Sequence, residues 1–268
     1  MKVFLTFLFL VGAFNVQAQR TVFGGHNNYV APVAPPSIVT TGLVLNLDAG
    51  NAASYAGTGT TWTDLSGRGN NGTLFNSVAY SSSNQGTLVF DGYTPVQGPN
   101  PYVLLPTNAD FDFGTGDFTV DIWVYIKTLN DHPNLLSINV DESTNFSALR
   151  MSYYLGNLGI SHSYDNNNWA AQKSTPISTN AWKNIVVSRI SGQVTVYINS
   201  VSALTYSLPG ALMTNLRNVL GTIYPTFGNP GFFNLSGNIA TTKFYKGKGL
   251  TASEVTTQFN LLKSRFGL

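Results

Sequence analysis

Residues 117–126, DFTVDIWVYI, alternate along their whole length. Phe118, Val120, Ile122, Val124 and Ile126 fall on one face, and Asp117, Thr119, Asp121, Trp123 and Tyr125 on the other. A period of two in aromatic and β-branched residues predicts a central strand. Such a strand needs neighbours at both edges and a second layer over its apolar face. The same reading predicts strands at 43–48, 87–91, 102–105, 135–140, 147–155, 159–163, 182–190, 193–199, 218–223 and 237–245. Turn signals separate them: Asn71-Gly72, Asp91-Gly92, Gly156-Asn157 and Ser191-Gly192.

Only one stretch has helical signals that agree with each other. Thr251 and Glu254 are spaced as a capping box, and Leu250 and Val255 as a hydrophobic staple. Val255, Phe259, Leu262 and Phe266 form one apolar stripe, and Gly267 can end the helix. The expected fold class is therefore all-β: a two-sheet antiparallel β-sandwich of jelly-roll type with one C-terminal α-helix. The helix should pack back on the sheets. The strand at 117–126 should find its partners in the 182–199 hairpin and the 237–245 strand.

The first residues do not fit that pattern. Lys2 precedes an apolar run from Val3 to Phe14, and Val16-Gln17-Ala18 offers a cleavage site, so residues 1–18 read as a secretory signal peptide. The run is too short to span a membrane comfortably, and no apolar run of about 18 residues follows it. Residues 19–41 carry Pro32, Pro35, Pro36 and a Gly-Gly at 24–25, which suits an extended arm or linker. Such an arm is either a tether or an element that docks on a neighbouring subunit. The folded domain is expected over 42–268, with a long loop at 51–71 ending in SGRGNNG.

Composition narrows the function. The chain has no cysteine, which excludes a disulfide scaffold, thiolate metal sites and thiol catalysis. Charged residues are 10% of the 268, with 14 basic and 12 acidic. Nothing in that balance points to a nucleic-acid surface or a polybasic membrane patch.

Several segments, taken in order, resemble a known family. They are FDG at 90–92, YVLLP at 102–106, DFTVDIWVY at 117–125, AWKNIVVSRISGQVTVYINS at 181–200 and GNIATTKFYKGKGLTASEV at 237–255. The order is similar to that of the laminin G-like branch of the concanavalin A-like lectin/glucanase superfamily, over about residues 42–268. The resemblance implies a two-sheet jelly roll with one curved sheet and ligand loops at its rim. It does not choose among lectins, adhesion modules, glycosidases and viral surface proteins.

The hydrolytic relatives carry Glu-x-Asp-x-Glu or a variant on one strand, and glycoside hydrolysis needs paired carboxyl groups. This chain has two glutamates, Glu142 and Glu254, and the second is used by the capping box. Asp117 with Asp121, and Asp110 with Asp112, share a face in pairs but lack a third carboxylate. His26, His132 and His162 have no triad context. No catalytic residue is assigned, and the chain is not expected to be an enzyme.

Sugar binding uses an aromatic platform beside amides and carboxylates. The best local collection is Tyr164, Asp165, Asn166, Asn167, Asn168 and Trp169, which are the expected ligand-binding residues. A second is Tyr153, Tyr154 and His162. A third is the loop 224–234, with Phe227, Asn229, Phe232 and Phe233. Some relatives hold Ca²⁺ in rim loops. Asp48, Asp64, Asp91, Asp131, Asp141 and Asp165 lie at strand ends or in loops but form no dense motif. No cofactor is assigned, and a structural Ca²⁺ stays open without named ligands.

The leading expectation is a secreted or cell-surface module that binds glycans or cell-surface polysaccharide. The competing one is a structural or assembly subunit of an extracellular or virion-surface structure, joined to like or unlike neighbours through 19–41. Glycoside hydrolase is the third.

Overall fold

A computed structural model describes residues 37–92, 100–127, 132–141, 143–144, 146–223 and 233–268. The signal segment, the arm up to residue 36 and most of the 224–234 loop lie outside the described residues. So do Asp131 and Glu142.

Sixteen strands are described: β1 Leu43–Asp48, β2 Thr61–Trp62, β3 Gly72–Phe75, β4 Ala79–Ser81, β5 Thr87–Asp91, β6 Tyr102–Leu105, β7 Phe118–Ile126 and β8 Asn134–Val140. They continue as β9 Ser147–Tyr154, β10 Asn157–Ser163, β11 Trp169–Pro176, β12 Trp182–Ile190, β13 Gln193–Ile198, β14 Val201–Ser207, β15 Arg217–Leu220 and β16 Ser236–Lys246. One α-helix, α1 Ala252–Leu262, follows, with a 3-10 turn at Lys263–Phe266.

The strands form two antiparallel sheets. Sheet I runs β14-β13-β12-β7-β16-β5-β4, with β1 also on β16. Sheet II runs β11-β10-β9-β8-β15-β6-β3-β2. β7 is central, between β12 and β16, as its alternation demands. Its apolar face, from Phe118 to Ile126, enters the main core between the sheets. Leu136, Ile138, Leu149, Met151, Leu158 and Ile160 of sheet II meet it there.

The other face of β7 is also buried, because α1 and its 3-10 turn lie over it. Trp123 stacks on Phe266 with ring centroids 4.2 Å apart and on Phe259 at 5.6 Å. Polar groups on this face are paired, as burial requires. Asp121 accepts from Asn184 at 2.6 Å and lies 3.9 Å from Lys243. Burial pushes the Asp121 carboxyl above its ordinary range, against the pull of Lys243. Thr119 Oγ1 accepts from the Leu250 amide at 2.8 Å, and Tyr245 donates to Gln258 at 2.9 Å. Asp117 accepts from the Ser191 amide at 2.8 Å, on the turn joining β12 to β13. Asp117 and Asp121 are thus structural anchors of this layer.

The helix start follows its sequence signals. The Thr251 side chain accepts from the Glu254 amide, and Glu254 reaches back to the Thr251 amide at 2.8 Å. Leu250 and Val255 share a cluster with Val186, Tyr197 and Tyr245. Val39, from the end of the expected arm, packs against the same cluster.

Candidate binding site

On sheet II, alternation sends Arg150, Ser152 and Tyr154 of β9 to the face opposite the core. Asn157, Gly159 and Ser161 of β10 point the same way. Antiparallel pairing sets Ser161 opposite Arg150, Gly159 opposite Ser152 and Asn157 opposite Tyr154. On the far side of β10, Gln172 pairs with Ser161 and Ser174 with Gly159. Small side chains along three adjacent strands leave a depression, and the taller groups around it make a cavity of about 430 Å³.

The floor is small and polar: Ser152, Gly159, Ser161 and Ser174. A Cβ on Gly159 would come within 3.1 Å of the Ser152 hydroxyl, so the lack of a side chain there deepens the floor. One wall is aromatic. Tyr154, 49% exposed, lies against His132 with ring centroids 4.0 Å apart, and Phe233 stands 6.5 Å from His132. Phe233 is anchored by Leu104, Val140, Val219 and Ile223 on the same outer face. Asn134, Asn157 and Gln172 bring amides to the lining, and Arg150 brings a guanidinium. Lys173 borders the groove but pairs with core-facing Ile160, so its side chain leaves by the other face of β11. Asn134 is fixed from below by donating to the Thr222 carbonyl at 2.7 Å.

The residues expected from sequence lie at the end of this groove and are drawn apart. Tyr164 turns away, its hydroxyl accepting from the Gly210 amide at 3.0 Å. Gly210 makes that approach feasible, since a Cβ there would sit 2.3 Å from the tyrosine ring. Asp165 closes its own turn, accepting from the amides of Asn167 and Asn168 at 2.8 and 3.0 Å. Asn166, Asn167 and Asn168 are exposed at the tip. Trp169 alone reaches toward the groove. Arg150 lies over its ring at 4.4 Å, and Phe146 meets it edge-on at 5.0 Å.

The second collection also divides. Tyr154 forms the groove wall, while Tyr153 faces the core. His162 is fully buried, with Nδ1 2.9 Å from the Ala148 carbonyl and Nε2 2.7 Å from the Tyr206 hydroxyl. Burial, with Arg189 nearby, pulls its pKa down to about 4. Of the third collection, only Phe233 and Asn234 are described, and Phe233 does line the groove.

The loop carboxylates are engaged separately. Asp48 accepts from Arg265 at 2.7 Å, and Asp64 takes the Asn46, Ser66 and Asn70 amides. Asp110 pairs with Arg68 at 2.7 Å, which holds its carboxyl below the usual range. Asp141 accepts from the Ser143 hydroxyl and amide.

Sequence reasoning missed Arg150, Asn157, Gly159, Gln172 and Lys173. Their only signal was the run of small or polar residues along three adjacent strands, β9, β10 and β11.

Residues 97–256 match the family model described as the concanavalin A-like lectin/glucanases superfamily, laminin G-like type. A sequence search of curated proteins finds no match. Among solved structures, the chain is similar to the binding domain of Paraclostridial Mosquitocidal Protein 1. The identity is 18% and the TM-score 0.63, covering 82% of this chain and 52% of that one. The binding domain of Botulinum neurotoxin DC is similar in two complexes. With rat synaptotagmin II the identity is 14% and the TM-score 0.63, covering 82% and 52%. With SialylT the identity is 14% and the TM-score 0.64, covering 83% and 52%. The chain spans about half the length of these relatives, and at such identity the likeness is one of fold.

Proposed function

This chain belongs to the concanavalin A-like lectin/glucanase superfamily, and we propose that it is a non-catalytic module that binds carbohydrate in the groove on sheet II. The groove's aromatic wall beside a small polar floor carries this reading. A sugar offers apolar CH faces that cover a ring such as Tyr154, and hydroxyls that pair with amides and serines. Asn134, Asn157, Gln172 and three serines supply those partners.

The described lining holds no carboxylate, so it offers no acid and base for glycosidic cleavage. Recognition rests on side chains alone and needs no cofactor. A ligand outside the cell or on its surface is part of this reading, and the signal-like pattern of residues 1–18 supports it. The similarity to proteins described as binding domains, one of them in complex with SialylT, agrees with this role.

A glycan array tests the reading, run with residues 19–268, with and without Ca²⁺, beside Tyr154→Ala. Binding that is independent of Ca²⁺ and lost in Tyr154→Ala supports it. No retained glycan under either condition contradicts it.

A further inference from the structure

His162 joins the two sheets at their edges. It belongs to β10 of sheet II, and its Nε2 lies 2.7 Å from the hydroxyl of Tyr206 on β14 of sheet I. β14 is an edge strand, and Tyr206 is its only buried residue. β11, the edge strand beside it in the other sheet, has Thr175 as its only buried residue. Edge strands with so few buried contacts open at the least cost.

The surroundings of His162 suit a neutral ring. Ala148 of β9 offers its carbonyl, Phe118 of β7 lies 6.3 Å away ring to ring, and Ala171 of β11 is the cross-strand partner. Arg189 of β12 is a buried cation, its guanidinium committed to the carbonyls of Gly114, Gly116 and Gly210. Lys173 leaves β11 by the same face as Ala171 and adds a second cation on this side. Asp117 and Tyr164 act on Arg189, and no described carboxylate contacts His162.

We propose that the His162–Tyr206 pair is an acid-released clasp: proton uptake by His162 lets β14 open and loosens the adjoining end of the groove. Resting on the carbohydrate reading above, the consequence is a ligand held at neutral pH and released in acid. A charged ring at this site has no counter-ion and faces Arg189. Its Nε2 becomes a donor, and the Tyr206 hydroxyl proton loses its acceptor. Water reaches the charge once β14 lifts away. The ring takes its proton near pH 4 in the closed state and near 6.5 when exposed, so opening gains about tenfold per pH unit between those values. The groove is reached through β10. Its last pair with β9 is Ser161 with Arg150, and its register with β11 shifts between His162 and Ser163. His162 thus sits one residue beyond Ser161 of the groove floor, where β11 alone pairs with the strand.

Amide hydrogen exchange from pH 7 to 4.5, corrected for its intrinsic pH dependence, tests the clasp. The β14 amides that pair with β13 should lose roughly a hundredfold of protection, from a level already well below that of β7. The Ser161 and Arg150 amides should follow them. His162→Gln, neutral throughout, should abolish the loss, and Tyr206→Phe should lower β14 protection severalfold already at pH 7. Protection of β14 that is independent of pH, equals that of β7 throughout, or still falls in His162→Gln overturns the clasp. Ser161 and Arg150 amides that do not follow β14 overturn its link to the groove. Glycan retention is compared at pH 7 and 4.5 in the same two forms. His132 of the groove is present in both, so a difference between them belongs to His162. Release by the unaltered protein and retention by His162→Gln support acid release, and equal behaviour overturns it. Absence of any bound glycan at pH 7 overturns the carbohydrate reading, whereas the exchange results judge the clasp by themselves.

Discussion

The guanidinium of Arg150 lies 4.4 Å from the ring centroid of Trp169, although the two belong to β9 and β11 with β10 between them. This contact ties the loop at 164–168, the most conspicuous polar-aromatic stretch of the sequence, to the groove on sheet II. Trp169, which follows the loop, reaches toward the groove, while Tyr164 is tied to Gly210 and Asp165 closes the turn.

The pair predicts a separable effect of Trp169→Ala. A cation–π contact at such a site contributes about 1 kcal/mol, so thermal stability should fall only slightly. Glycan affinity should fall severalfold, and Trp169→Phe should restore much of it. Unchanged affinity in Trp169→Ala would mean that the groove does not need the ring to hold Arg150 in place.

Tyr154→Ala should weaken glycan binding by roughly tenfold or more, the usual cost of removing an aromatic anchor. Because half of Tyr154 is already exposed, the melting temperature should barely move. Calorimetry and a thermal melt on the same sample check both. A large loss of stability would show that the His132–Tyr154 stack is a structural prop.

His162 predicts the response to acid. Its Nδ1 donates to the Ala148 carbonyl, so the ring is neutral and Nε2 accepts from Tyr206. Burial lowers its pKa from 6.5 to about 4. The unfolded chain takes up this proton near pH 6.5 and the folded chain only near pH 4. The contribution is full above pH 6.5 and declines as pH falls towards 4, by on the order of 3 kcal/mol. Urea midpoints at intervals from pH 7 to 4.5 should fall accordingly, while the His162 ring signal in the folded protein stays neutral at pH 5. Midpoints that do not change, or a charged ring at pH 5, would contradict this.

The layer under the helix depends on Asp121 with Asn184 and Lys243. Lys243→Met should cost about 3 kcal/mol, because it leaves a buried carboxylate without its cation. Adding Asp121→Asn should recover most of that loss in urea denaturation. Equal stability of Lys243→Met and the unaltered protein would show that Asn184 alone satisfies the carboxylate.

The pattern of apolar positions located most of the strands that are buried on at least one face, but not β3, whose Gly72 and Leu74 are buried. β1, β5, β6 and β12 begin and end where alternation placed them. The hairpin of β12 and β13 and the capped helix were equally legible. The edge strands were not. In β14, Val201–Ser207, only Tyr206 is buried, and in β11, Trp169–Pro176, only Thr175. A strand with one paired edge and two wet faces has little hydrophobic alternation to show. The helix was expected on the sheets, but its seat on the polar face of β7 was not legible, since Asp121 and Thr119 offer no apolar surface for a helix to seek. The groove was hidden for another reason. Its residues converge across β8 to β11, and no local stretch holds more than a few of them.

Gly159 is the point at which the groove can be closed without disturbing the rest. Gly159→Val suits a strand, adds a Cβ 3.1 Å from a movable Ser152 hydroxyl, and fills the floor between Arg150 and Tyr154. The decisive measurement is glycan binding by folded Gly159→Val beside the unaltered protein, with the thermal melts of both. The groove account predicts a melting temperature within a few degrees and no measurable glycan binding. Undiminished binding by the folded variant would place the ligand elsewhere and contradict it.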